Sequence, residues 1–360
     1  MGKSKIEWLD GGSSWNPLAG CTKASSGCEN CYALRMSRRQ EGIGLCKRYQ
    51  GTTTQKGGKL AWTGEVNFDE QELLKPLSWK KPRRIFVCSM SDLFHPAVKT
   101  EWIHRIYDVM KQCPQHTFIV LTKRPKRIVP VLYDSDGVFC CEETGNAAYV
   151  SNCTFLPNVQ HLVSVENQET LWRIEALLKL RSEGSPGWPV LGVSAEPLLG
   201  PVDFSPYLDP TGQVSCINCG ADERNYLTQD EQDALKFAGG DALCPECGEM
   251  RGLHGYDPGL DWVIAGGESG PGARPMDPEW ARKIRDDCKA AGVPFFFKQW
   301  GAWLPIDNEK EFNERHPELS KFPYRGIFSG RGAYYRVGKK RAGHLLDGRE
   351  IHEWPGGDDG

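Results

Sequence analysis

The sequence predicts an α/β chain folded as a complete or partial β/α barrel of the TIM-like kind, with a small metal-binding module inserted in one loop. Three observations carry that expectation. Apolar, β-branched runs alternate with helical stretches, which is the pattern of parallel strands joined by crossover helices. The 360 residues, 39% of them hydrophobic, leave room for up to eight such units around one large core. Polar residues follow the strands, as they do at the active face of a barrel, where the loops after the strands build the site. An open doubly wound sheet is the alternative that the same rhythm allows.

Along the chain, strands are expected at Ile6 to Leu9, Glu65 to Phe68, Arg84 to Ser89, Thr117 to Thr122, His161 to Val165, Val190 to Ser194, Trp262 to Ala265 and Pro294 to Lys298. Helices are expected at Cys31 to Arg39, Glu101 to Gln112, Glu169 to Arg181 and Pro278 to Ala291. The last follows Asp277, a good N-cap, has proline in its first turn and stops at Gly292. The polar strand ends are Ser89-Met90-Ser91-Asp92, Thr122-Lys123-Arg124, Ser164-Val165-Glu166-Asn167, Ser194-Ala195-Glu196 and Gly266-Gly267-Glu268-Ser269. An insert at 209–257 interrupts residues 1–300, and 301–360 reads as a C-terminal extension.

Charge and composition narrow the function. With 44 basic against 47 acidic residues the net charge is −3, so any nucleic acid must be met by a local patch. No run approaches the length of a membrane span, and Met1 to Lys5 lacks the apolar stretch of a secretion signal, so a cytoplasmic location is expected. Disulfides are disfavoured there. The fourteen cysteines, seven of them in two tight groups, therefore read as metal or cluster ligands.

Cys21, Cys28 and Cys31 form C-x6-C-x2-C on a loop bearing glycine and serine. Three thiolates on such a loop can bind three irons of a four-iron, four-sulfur (4Fe-4S) cluster and leave the fourth open. A zinc site completed by a distant histidine is the alternative. Cys216, Cys219, Cys244 and Cys247 form C-x2-C-x24-C-x2-C, with glycine after each pair. Four thiolates close the shell of a structural zinc, and an auxiliary iron–sulfur cluster is the second possibility. His254 lies nearby as a surface residue.

Lys5-Ile6-Glu7-Trp8, Trp15-Asn16-Pro17, Gly20-Cys21, Gly27-Cys28 and Asn30-Cys31-Tyr32-Ala33 open a series of motifs that continues to the end of the chain. The later ones are Phe86 to Pro96, Leu121 to Pro125, Val163 to Gln168, Ser194 to Gly200, Val263 to Pro275, Phe295 to Gly301 and Gly338 to Gly348. In these the sequence resembles a phage-associated radical SAM-like family with relatives in thymidine hypermodification, and more distantly spore photoproduct lyase. The usual triplet of radical SAM enzymes is C-x3-C-x2-C; here the first gap is six, and Asn30 precedes the last cysteine while Tyr32 follows it.

The resemblance implies a barrel of the radical SAM type holding a 4Fe-4S cluster on Cys21, Cys28 and Cys31, with S-adenosyl-L-methionine as cofactor and zinc in the insert. It implies cleavage of S-adenosylmethionine and hydrogen abstraction from a substrate, as in an isomerase rearranging an aminoacyl-modified thymidine in phage DNA. An electron donor such as flavodoxin or ferredoxin, and the host cytoplasm for a phage-encoded protein, belong to the same expectation. Ser89, Ser91, Asp92, Lys123 and Ser164 are the expected cofactor-binding residues, each alternatively an ordinary helix cap or surface charge. Arg124, Lys126, Arg127, Glu166, Asn167, Glu196 and Glu268 are the expected substrate-binding residues. Arg336, Lys339, Lys340 and Arg341 form a further basic group for DNA or a nucleotide, with Trp300 and Trp303 as stacking surfaces. Two other functions compete: a zinc-stabilised, non-catalytic nucleic-acid-binding protein, and a metal-dependent hydrolase using Asp92, His95 and Glu166.

Overall fold

The structure, a computed structural model, describes residues 4, 6–44, 46–132, 156–180, 189–208, 259–306, 317 and 333–356. Seven strands form one sheet: β1 (Ser13–Trp15), β2 (Arg84–Val87), β3 (Thr117–Thr122), β4 (Val159–Ser164), β5 (Leu191–Ala195), β6 (Trp262–Gly266) and β7 (Phe295–Gln299). Their spatial order is their chain order, and every ladder is parallel. A doubly wound sheet reverses its order part way, and this one does not. The result is a mixed α/β fold with a half-barrel sheet, a partial β/α barrel.

The helices α1 (Tyr32–Ile43), α2 (Thr100–Lys111), α3 (Ile128–Leu132), α4 (Trp172–Leu178) and α5 (Pro278–Ala291) lie between strands in the chain. Helix α5 shows how local sequence fixes an element. The Asp277 carboxylate accepts from the Glu279 amide, Gly292 leaves the helix at φ 68°, and Ala281, Ile284 and Cys288 turn one face inward. Side chains alternate across each strand, so Ile85 and Val87 of β2 join the large core with the helices. Phe86, Ile119, Leu162, Ile264 and Phe296 face the other way and form a second core on the concave side, together with Trp8 and Leu9.

Two expected strands are corrected. Ile6 to Leu9 is not a strand: Glu7–Leu9 is a single 3-10 turn. Trp8 and Leu9 are adjacent and both pack into the same core cluster, whereas a strand would point them to opposite faces. Trp8 packs edge-on against Phe86 and Trp262, and the first strand follows at β1. Of Glu65 to Phe68, only Asn67–Phe68 is extended, and it pairs antiparallel with Leu18–Ala19 outside the main sheet. Phe68 is held there by stacking on Trp102 of α2, with ring centroids 5.2 Å apart.

The C-terminal residues complete the open edge. Phe297 N–H donates to Ile351 O at 2.9 Å and Glu353 N–H to Phe295 O at 3.2 Å, so the chain returns antiparallel along β7. Trp354 Nε1 then donates to Trp8 O at 2.9 Å and joins the two ends of the described chain. Residues 209–257, with Cys216, Cys219, Cys244, Cys247 and His254, lie outside the described residues. Among the described residues, no helix is long and apolar enough to cross a membrane.

Candidate functional site

A cavity of about 740 Å³ opens at the end of the sheet where the strands finish, and Cys21, Cys28 and Cys31 all line it. The loop that carries them is placed first by glycine. Gly20 has φ 106°, and a Cβ on it would stand 2.0 Å from Glu65 O, so only glycine fits directly before Cys21. Gly27 packs against Glu166, where a Cβ would lie 2.4 Å from Oε1.

Three buried carboxylates, from the ends of the alternate strands β2, β4 and β6, then clamp the loop. Asp92 accepts four hydrogen bonds, from Thr122 Oγ1 at 2.7 Å, Phe94 N at 3.0 Å, Lys123 N at 3.1 Å and Arg124 Nη1 at 2.8 Å. Its lone pairs are filled. Arg124 continues to the loop, donating through Nη2 to Thr22 O at 2.9 Å and to Thr22 Oγ1 at 2.8 Å. His95 Nδ1 accepts from Ala97 N, which leaves Nε2 to donate to the same Thr22 hydroxyl at 2.9 Å.

Glu166 is fully buried between two cations, Lys123 at Oε1 and Arg173 Nη1, 2.9 Å from Oε2, and it accepts from Ser25 Oγ of the cysteine loop at 2.8 Å. Burial works against its ionisation, but Lys123, Arg173 and Ser25 hold the carboxyl below the usual range. Glu268 is met by Arg274 through Nε at 2.8 Å and Nη2 at 2.6 Å, and by Asn30 Nδ2 at 3.0 Å. Arg274 Nη2 reaches on to Ser26 O at 2.9 Å. Here too burial opposes ionisation and the paired donors lower the pKa.

The thiols are a different matter. Burial pushes Cys21 up to about 12, the Asp92 charge adding to the rise and Arg124 opposing it, and burial also raises Cys31. Without a metal these groups are protonated at neutral pH, and metal binding would release their protons. Among the described residues no three His, Cys, Asp or Glu side chains converge on a single ion. A cubane makes no such demand, because each thiolate binds a different iron. Cys21, Cys28 and Cys31, which line one cavity, have the donor chemistry that such a group would need.

The other expected residues divide. Ser89 Oγ donates to Asn16 Oδ1 at 3.0 Å and Ser91 Oγ to Gly20 O at 2.6 Å, so both cavity-lining hydroxyls keep their lone pairs as acceptors. Lys123, Arg124, Ser164, Glu196 and Glu268 also line the cavity. Asn167 instead caps the turn Gln168–Thr170. Arg127 donates to the carbonyls of His95 and Val98, and exposed Lys126 lies over the Trp172 ring. Of the C-terminal basic group, Lys339 lines the cavity and pairs with Glu7 at 2.7 Å, Arg336 donates to Gly270 O, and Lys340 and Arg341 are exposed. Trp303 is buried, its Nε1 donating to Ala273 O, and Trp300 Nε1 donates to Leu345 O.

Sequence reasoning did not single out Arg173, Arg274, Thr22, Ser25 or Lys298, and it noted Asn30 only as the neighbour of Cys31. Arg173 sits in the first turn of α4 and Arg274 in a loop, and neither spacing nor charge runs mark them. No curated protein and no solved structure was found to match the chain. One family does match, from residue 3 to residue 355, across the half-barrel, the insert and the returning C-terminal strand alike, and the chain belongs to it: the family described as "Protein of unknown function (DUF5131)".

Proposed function

We propose that this protein is a radical S-adenosylmethionine enzyme. One observation carries the reading: the loop bearing Cys21, Cys28 and Cys31 is clamped at three points over the end of a parallel half-barrel, with all three cysteines lining the cavity. When bound there, a 4Fe-4S cluster supplies the electron that splits S-adenosylmethionine into methionine and a 5′-deoxyadenosyl radical able to take a hydrogen atom. The protein's own residues bind, orient and shield. Cys21, Cys28 and Cys31 would hold the cluster as thiolates, giving up their protons to do so. Ser89 and Ser91, with their hydroxyl hydrogens already committed, offer lone pairs to an ammonium and so suit the amine of the methionyl group. Phe86, Leu121 and Trp8 give the cavity an apolar floor that keeps water from a reactive carbon. The inserted module as a zinc ribbon, and a phosphate-bearing substrate drawn by exposed Lys126, Lys340 and Arg341, belong to the same proposal.

The test is direct. Anaerobically reconstituted protein should be brown, carry about four irons on the triplet, and with dithionite convert S-adenosylmethionine to 5′-deoxyadenosine. Cys21→Ala, Cys28→Ala and Cys31→Ala should each abolish the colour while the chain stays folded. A triplet that takes zinc and never iron sinks the proposal.

A further inference from the structure

Four carboxylates stand at the strand ends, and three are spent on the clamps. Glu196, after β5, is not. Its Oε1 lies 3.0 Å from Lys298 Nζ of β7 and its Oε2 3.1 Å, and Ser194 Oγ donates to Oε2 at 3.2 Å. Among the described residues neither charged group has any other polar side-chain partner. Both line the cavity, with 14% and 18% of their side chains exposed. The seat is shaped for this carboxylate: a Cβ on Gly266 would come within 2.7 Å of Glu196 Oε1.

A half-buried pair of this kind loses hydration and regains little from a single partner. Lys298 has donors to spare and Glu196 has lone pairs to spare. A ligand carrying both an ammonium and a carboxylate would meet each with its opposite and bury no net charge. A simple anion would leave Glu196 uncompensated and a simple amine would leave Lys298 so, which selects against both. We infer that the Glu196–Lys298 pair receives an α-amino-acid group, the zwitterionic end of a ligand whose remainder lies along the cavity. The inference rests on the radical reading only for the source of that group, which is either the methionyl end of S-adenosylmethionine or an aminoacyl substituent on the substrate.

The experiment measures binding on iron-reconstituted protein with two probes. One is S-adenosylhomocysteine by calorimetry; the other is glycine by saturation-transfer NMR with S-adenosylhomocysteine saturating. Glu196→Gln and Lys298→Met should each weaken one probe at least tenfold and leave 5′-methylthioadenosine, which has no zwitterion, unaffected. Loss of S-adenosylhomocysteine assigns the pair to the methionyl end, and loss confined to glycine assigns it to the substrate. Unchanged affinity for both probes in both variants overturns the inference. Where a variant does not fold, the wild type decides: glycinamide or N-acetylglycine binding as well as glycine also overturns it. Iron is counted in the same samples, so a protein that binds the zwitterion and never takes iron retires the radical reading and keeps this one.

Discussion

A carboxylate at a strand end can face a ligand or hold a loop, and the hydrogen bonds it accepts decide between the two. By that measure Asp92, Glu166 and Glu268 hold the cysteine loop, and Glu196 faces the cavity. The same residue-by-residue reasoning gives a pH dependence away from the site. His161 is buried on β4 with Nε2 2.8 Å from Tyr107 Oη, and burial pushes its pKa down to about 4 from the usual 6.5. The unfolded chain binds a proton as pH falls through 6.5, whereas the folded chain does not until about 4. Stability is therefore full above 6.5 and is lost on the way down to 4, by an amount on the order of 3 kcal/mol. His95, lowered to about 4 chiefly by burial and by Arg124, adds a second such loss. Urea midpoints at pH 7 and pH 4.5 should differ less for His161→Phe than for the wild type, because the His161 part is gone while those of His95 and of the two other histidines that burial lowers, His116 and His352, remain. Equal differences in the two proteins would show that His161 does not carry the acid limb.

At the scale of elements, the strongly apolar strands β2 to β7 were legible in the sequence because β-branched runs, once buried on both faces, have few other conformations to adopt. Short elements were not. β1 is Ser13-Ser14-Trp15, with two serines that carry little strand propensity, while the more strand-like Ile6 to Leu9 became a plug because tertiary burial overrode the local pattern. That Cys21, Cys28 and Cys31 stand together at one cavity was legible from their spacing. The clamps were not, since an arginine announces no partner. The consequence of breaking one can be tested at Arg173, whose side chain is 2% exposed. Arg173→Met leaves Glu166 with Lys123 as its one remaining cation and should cost about 3 kcal/mol in thermal or urea unfolding. The Ser25–Gly27 turn loosens with it, so reconstituted variant should lose iron to a chelator faster than wild type. Adding Glu166→Gln removes the buried charge and should restore much of the stability. An Arg173→Met protein as stable and as iron-retentive as the wild type would show that this clamp holds nothing.

For the whole molecule, the decisive feature is where the insert leaves and rejoins the half-barrel. β5 and β6 are neighbours in the sheet, and between them the described chain stops at residue 208 and resumes at 259. On either side of that gap Leu260 N–H donates to Tyr207 O at 2.7 Å, and Asp261 Oδ2 accepts from Leu191 N at 2.7 Å. The two stems therefore meet, and the second is fastened to β5 through Asp261. A unit of about fifty residues with four thiols is too small to build much of a core and would draw its folding energy from metal. The two cysteine groups can therefore be tested apart. Replacing residues 209–258 with a short glycine–serine linker should yield a folded protein that binds no zinc, because Cys216, Cys219, Cys244 and Cys247 leave with the segment. It should still take iron on Cys21, Cys28 and Cys31, because every clamp residue described above lies outside it. Metal analysis and the visible spectrum of the shortened protein, beside circular dichroism, decide the matter. A shortened chain that folds but no longer takes iron would make the insert part of the cluster site, and iron rather than zinc on the four cysteines of the full chain would make it an electron carrier.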